Sequence, residues 1–126
     1  MGSSIDVSSI TSLQWIGISA AAVSAVVHLV LGLGFIPHWM GFAFMVAVIG
    51  FGVGIVNVLR GSYLRETYLV GIPFVLGQIA MWIIFTRQEF LTDPLAIATI
   101  GLPEAIDKVA QVILLVVLVV LLRQQN

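Results

Sequence analysis

The sequence predicts an all-α membrane protein: a four-transmembrane-helix bundle with antiparallel neighbours and both termini on the cytoplasmic side. Three observations support this fold class. Of 126 residues, 60% are hydrophobic and only 9% are charged, whereas an average soluble domain carries about a quarter charged residues. So short a chain has little interior in which to hide that much apolar surface from water, and the mean hydropathy of +1.17 makes lipid the fitting solvent. The apolar residues also fall into four stretches, each close to the roughly 20 residues that a helix needs to cross a bilayer.

Residues 1–12 read as a polar lead-in and 13–126 as a single four-helix domain. No positive region precedes the first apolar stretch, which is longer than the core of a signal peptide. The start MGSSID has Asp6 where N-myristoylation requires Ser or Thr. The first span runs from Trp15 to Phe35 and contains one histidine and no charge. Pro37 and His38 interrupt it, and the second span covers Met40 to Leu59. Arg60, Gly61, Arg65 and Glu66 break the pattern before the third, Tyr68 to Phe85. Gly71 and Pro73 then fall in its first turns, where proline's missing N–H is tolerated. Thr86 to Pro103, with Arg87, Glu89, Asp93 and Pro94, is the longest connection. The fourth span covers Glu104 to Leu122 and is unbroken aliphatic from Val112.

Basic residues orient such a bundle. Arg60, Arg65 and Arg123 fall on the side of the termini, and Arg87 and Lys108 fall on the other among Glu89, Asp93, Glu104 and Asp107. That distribution puts the termini inside. Trp15, Tyr63 and Tyr68 then form an inner aromatic belt, and Trp39 and Trp82 lie near the outer surface.

Lipid supplies no hydrophobic force between helices, so small residues that allow close backbone approach mark the seams. Gly17, Ala21 and Ala25 recur at four-residue spacing on the first span, and Gly50 and Gly54 form a GxxxG on the second. Those two spans are expected to pack on each other through these residues as a hairpin, with a homo-oligomer seam as the alternative. The fourth span has no small residue after Ala110, and its aliphatic surface suits lipid or a broad partner interface.

Polar groups within a span are costly and mark function or helix association. His28 lies seven residues before Phe35, Gln78 seven before Phe85, and Gln111 seven after Glu104. At 1.5 Å per residue all three sit on the order of 10 Å below the outer surface. Glu104, Asp107, Lys108 and Gln111 share one helical face through i+3 and i+4 spacing. One reading is a small outward-facing cavity with His28 at its floor and Glu104, Asp107 and Lys108 at its rim, where an imidazole could exchange protons near neutral pH. The other is cross-helix hydrogen bonding of His28 with Gln78 or Gln111 that fixes register, with Glu104 and Lys108 as an interfacial i,i+4 pair. His38 belongs to the outer turn.

Several chemistries drop out. With zero cysteines there is no disulfide, thiolate metal site or cysteine nucleophile. A net charge of −1 and the lack of a basic patch argue against nucleic acid. His28 and His38 stand on either side of a proline turn and do not suit one metal ion, and a bis-histidine haem needs a second buried histidine. No HExxH, GxSxG, phosphate loop or paired intramembrane carboxylate is present. No cofactor, metal or catalytic residue is expected, and the chain does not read as an enzyme.

The segments VSAVVHLVLGLGFIPHWMGFAF (23–44), GIPFVLGQIAMW (71–82) and LPEAIDKVAQVILL (102–115) resemble a family of small four-span membrane proteins from halophilic archaea. His28, Pro37, His38, Gly41, Pro73, Gln78, Glu104, Asp107, Lys108 and Gln111 lie in the matching motifs. That family is a domain of unknown function, so the resemblance implies a four-helix fold in an archaeal plasma membrane and no activity, substrate or cofactor. The expected role is a structural or accessory subunit of a homo-oligomer or a larger membrane complex. The alternative is a small conductor of protons, ions or solute that uses the polar cluster around His28 and Glu104.

Overall fold

Local sequence sets the helix ends in the computed structural model, which describes residues 7–86 and 101–125. A 3-10 turn over Val7–Ser9 precedes α1 (Ser12–Phe35). Thr11 caps α1 by accepting from the Gln14 N–H, while the Gln14 side chain accepts from the Thr11 N–H. This reciprocal pair satisfies two N–H groups that the first turn leaves open. The exposed His38 caps α2 (Trp39–Arg60), its Nδ1 accepting from the Met40 N–H at 3.1 Å. Gly61 ends α2 at φ 66°, a left-handed conformation in which a Cβ is strained.

Helix α3 (Leu64–Thr86) starts earlier than the expected Tyr68, so Pro73 stands in the helix interior and not in the first turns. The Leu69 carbonyl therefore receives no helical N–H from position 73. Helix α4 (Leu102–Gln124) follows Gly101, with Pro103 in its opening turn. Residues 87–100 of the expected long connection, and residues 1–6 of the lead-in, lie outside the described residues. All four helices are long and apolar enough to cross a membrane, as expected of a multi-pass membrane protein.

Helices α1 and α4 form the centre, with α2 packed on α1 and α3 on α4; α2 and α3 touch only sparsely. This arrangement corrects the expected roles of the small residues. A Cβ added at Gly17 would lie 3.1 Å from Val117 Cγ1, so Gly17 admits α4 and not α2. Gly50 faces the Phe74 ring and Gly54 faces Thr67, so the GxxxG opens toward α3. Ala21 is buried in the core, and Ala25 packs against it half-buried.

The close approach of α1 to α2 comes instead from Gly32 and Gly41 beside the Pro37 turn. A Cβ on Gly41 would stand 2.8 Å from the Gly32 carbonyl oxygen and from the Ile36 nitrogen. The aliphatic run of α4 supplies much of the core through Leu114, Val117, Leu118 and Leu121. Only its other faces, including Val112, Val116 and Val120, are exposed. Tyr68, expected in an aromatic belt, is 1% exposed and its hydroxyl accepts from Gln14 Nε2 at 3.0 Å.

Candidate functional site

A string of polar side chains links α1, α4 and α3 near the end that holds the Pro37 turn. On α1, Ser24 and His28 are one turn apart and both buried. The His28 Nδ1 lies 2.8 Å from the Ser24 carbonyl oxygen. A carbonyl only accepts, so Nδ1 carries the proton and donates back to α1. The imidazole ring packs near Phe44 and Phe51 of α2, with centroids 4.9 and 5.7 Å away.

Helix α4 answers with Asp107, which is 4% exposed. Its Oδ1 accepts from the Ser24 hydroxyl at 2.5 Å and lies 3.6 Å from His28 Nδ1. Its Oδ2 lies 3.0 Å from Lys108 Nζ. Lys108 also donates to Gln111 Oε1 at 2.7 Å, and its ammonium sits 5.1 Å from the centroid of the Trp82 ring. Such a placement over an indole face is itself attractive. Gln111, fully buried, donates to Gln78 Oε1 of α3 at 2.9 Å, and Gln78 donates on to the Phe74 carbonyl at 3.2 Å. Trp82 Nε1 donates to Glu104 Oε2 at 2.8 Å.

Of the six residues expected to cluster, His28, Asp107, Lys108, Gln111 and Gln78 are linked in one string, and Glu104 adjoins it through Trp82. His28 engages Ser24 and Asp107; Gln78 and Gln111 bind each other. Spacing on one helix suggested Glu104 for Lys108. The side chain of Lys108 instead curls to Asp107, and Glu104 accepts from Trp82 on the neighbouring helix. Ser24 is not among the residues expected to cluster, and Trp82 is expected only as an aromatic near the outer surface. The available signal was the i−4 position of Ser24 relative to His28, and the common level of Trp82 and Glu104.

The arrangement resists two chemical uses. Serine, histidine and aspartate lie together, but Ser24 gives its proton to Asp107 and the Nδ1–H of His28 is committed to a carbonyl. The imidazole therefore does not face the hydroxyl as its base, as it does in a Ser-His-Asp triad. Among the described residues, no group of three His, Asp or Glu side chains is placed to hold a metal ion. No buried side-chain nitrogen or oxygen among them lacks a hydrogen-bond partner. Two cavities of about 670 and 640 Å³ lie elsewhere, and none of the six residues lines either one. No family model, curated protein or solved structure matches the chain.

Proposed function

We propose that this chain is a structural or accessory subunit of a membrane assembly, either a homo-oligomer or a complex with a larger membrane protein, and has no enzymatic activity. The saturation of the Ser24–Asp107–Lys108–Gln111–Gln78 string by its own members is the observation that supports this reading. Polar groups that bond to one another between helices set register; in membranes each such bond contributes about 0.6 kcal/mol. Contacts that pair Gly17 with Val117, Ser24 with Asp107 and Gln78 with Gln111 support antiparallel neighbours. Lys108 is held by Asp107 and is not a free loop cation, so the arginine count favours the end with Arg60, Arg65 and Arg123 as cytoplasmic. An archaeal plasma membrane, from the resemblance of the motifs, belongs to the same proposal.

The test is the mass and composition of the native particle after gentle extraction from its own membrane. A homo-oligomer or a co-purifying larger protein is the expected result, and a lone chain overturns the proposal.

A second reading, conduction of protons or ions, is favoured by one observation. His28, Asp107 and Lys108 place three ionisable groups together within the spans, where such groups commonly mark transport paths. Toward the Tyr68 end the core continues as Ala21, Leu114, Val117 and Leu118, so a conducting file would need an oligomeric axis. A pH-dependent flux in liposomes that Glu104→Gln abolishes would establish this reading; no flux removes it.

A further inference from the structure

The sparse contact between α2 and α3 leaves the larger cavity as a cleft on the side of the bundle. The two helices meet where the Phe51 and Phe74 rings stand edge to face at 5.2 Å, and again where Asn57 Nδ2 donates to Thr67 Oγ1 at 3.0 Å. The cleft, about 670 Å³, reaches down to Gly17 and Ala21 of α1 and to Leu114 and Leu118 of α4. Its size is that of a ligand site, and its depth is apolar. Polar side chains gather at one end only, where Asn57, Tyr63, Glu66 and Thr67 line it. An apolar void does not hold water, and an empty one forfeits the dispersion contacts of its walls. In a bilayer the filler at hand is a hydrocarbon chain.

Charge at the polar end identifies the headgroup. Arg60 closes α2, Arg65 opens α3 and Arg123 closes α4, all exposed. Among the described residues near that end the acid is Glu66, which lines the cleft, while the three arginines stand just beyond its lining. Guanidinium groups match phosphate oxygens in charge and fork geometry. We propose that the α2–α3 cleft binds one hydrocarbon chain of an anionic membrane phospholipid, with the phosphate at the arginine end. This site lies apart from the polar string and goes beyond the subunit reading.

Gly54 supplies the test. A Cβ there would meet only Thr67 Cγ2 at 3.8 Å, so the side chain of Gly54→Leu starts from open space at the cleft wall and occupies part of the cleft. Gly52 also has open space beside it but does not line the cleft, and Gly52→Leu is the matched control. The protein is reconstituted in vesicles of equal parts phosphatidylglycerol and phosphatidylcholine, re-extracted in mild detergent, and its retained lipid measured by native mass spectrometry. The wild-type chain and Gly52→Leu should each retain a phosphatidylglycerol in several-fold preference over phosphatidylcholine. Gly54→Leu should lose most of it. The double variant Arg60→Gln/Arg123→Gln, changed only at exposed positions, should lose the preference between the two lipids. Absence of retained lipid in the wild type, equal retention of both lipids, or full retention by Gly54→Leu overturns the proposal. So does a dimer in the wild type that Gly54→Leu alone dissociates, since a second copy would then occupy the cleft.

Discussion

Asp107→Ala is the most informative single change, because Asp107 is the point where α1 and α4 exchange polar contacts. The substitution removes the acceptor of the Ser24 hydroxyl, a hydrogen bond to a charged group worth about 1.5–3 kcal/mol. It also removes the carboxylate 3.0 Å from Lys108 Nζ. Breaking a fully buried ion pair costs about 3–5 kcal/mol. Here the loss is smaller, because the Lys108 side chain is 16% exposed and keeps its bond to Gln111 Oε1. The expected destabilisation is about 2–4 kcal/mol, on the scale of those two losses. Asp107→Asn keeps an oxygen acceptor for Ser24 and should lose about half as much. The assay is reversible unfolding by dodecyl sulfate titration of the purified protein in mixed micelles, followed by circular dichroism. If Asp107→Ala unfolds within about 0.5 kcal/mol of wild type, a range typical of neutral surface changes, the string does not hold α1 against α4.

The same titration checks the remaining expectations. Gly41→Ala should destabilise by about 1–3 kcal/mol, as overpacking does, because its Cβ would collide with the backbone of Gly32 and Ile36. Gly34→Ala, with nothing within 4 Å of the added carbon, should lose no stability and gain up to about 1 kcal/mol from helix propensity. Gly61→Ala should cost about 1–2 kcal/mol, since position 61 holds φ at 66°. In a double-mutant cycle, Gln78→Leu and Gln111→Leu should show a coupling near 0.6 kcal/mol, the usual value for one interhelical hydrogen bond in a membrane protein.

The candidate site was legible in outline because polar residues are rare in this chain. Counting 1.5 Å per residue places His28, Gln78 and Gln111 at one expected depth; in the structure Gln78 and Gln111 bond to each other, and His28 meets Asp107 one turn away on α4. The bonding pattern was not legible. Which atoms pair depends on rotation of each helix about its axis and on side-chain reach, as when Lys108 curls back to Asp107 and Glu104 takes the indole N–H of Trp82. The small residues were legible as seams but not as addresses. Gly50 closes on the Phe74 ring while Gly54 borders the open cleft, and nothing in a GxxxG says which of its glycines meets a neighbour or whether that neighbour is α1 or α3.

From sequence alone came four helices long and apolar enough to cross a membrane, since length and hydropathy decide which segments can cross lipid. Tertiary structure decided that α1 and α4 form the centre, that Gly32 and Gly41 bring α1 onto α2, and that Leu114, Val117, Leu118 and Leu121 are core. The physical reason is the solvent. Lipid is as apolar as a protein interior, so a helix in a membrane presents apolar residues to neighbours and surroundings alike. Periodicity of hydrophobicity tells inside from outside in water. It carries no such signal in α4, where the buried Val117 stands beside Val116, a residue of the same type that is exposed.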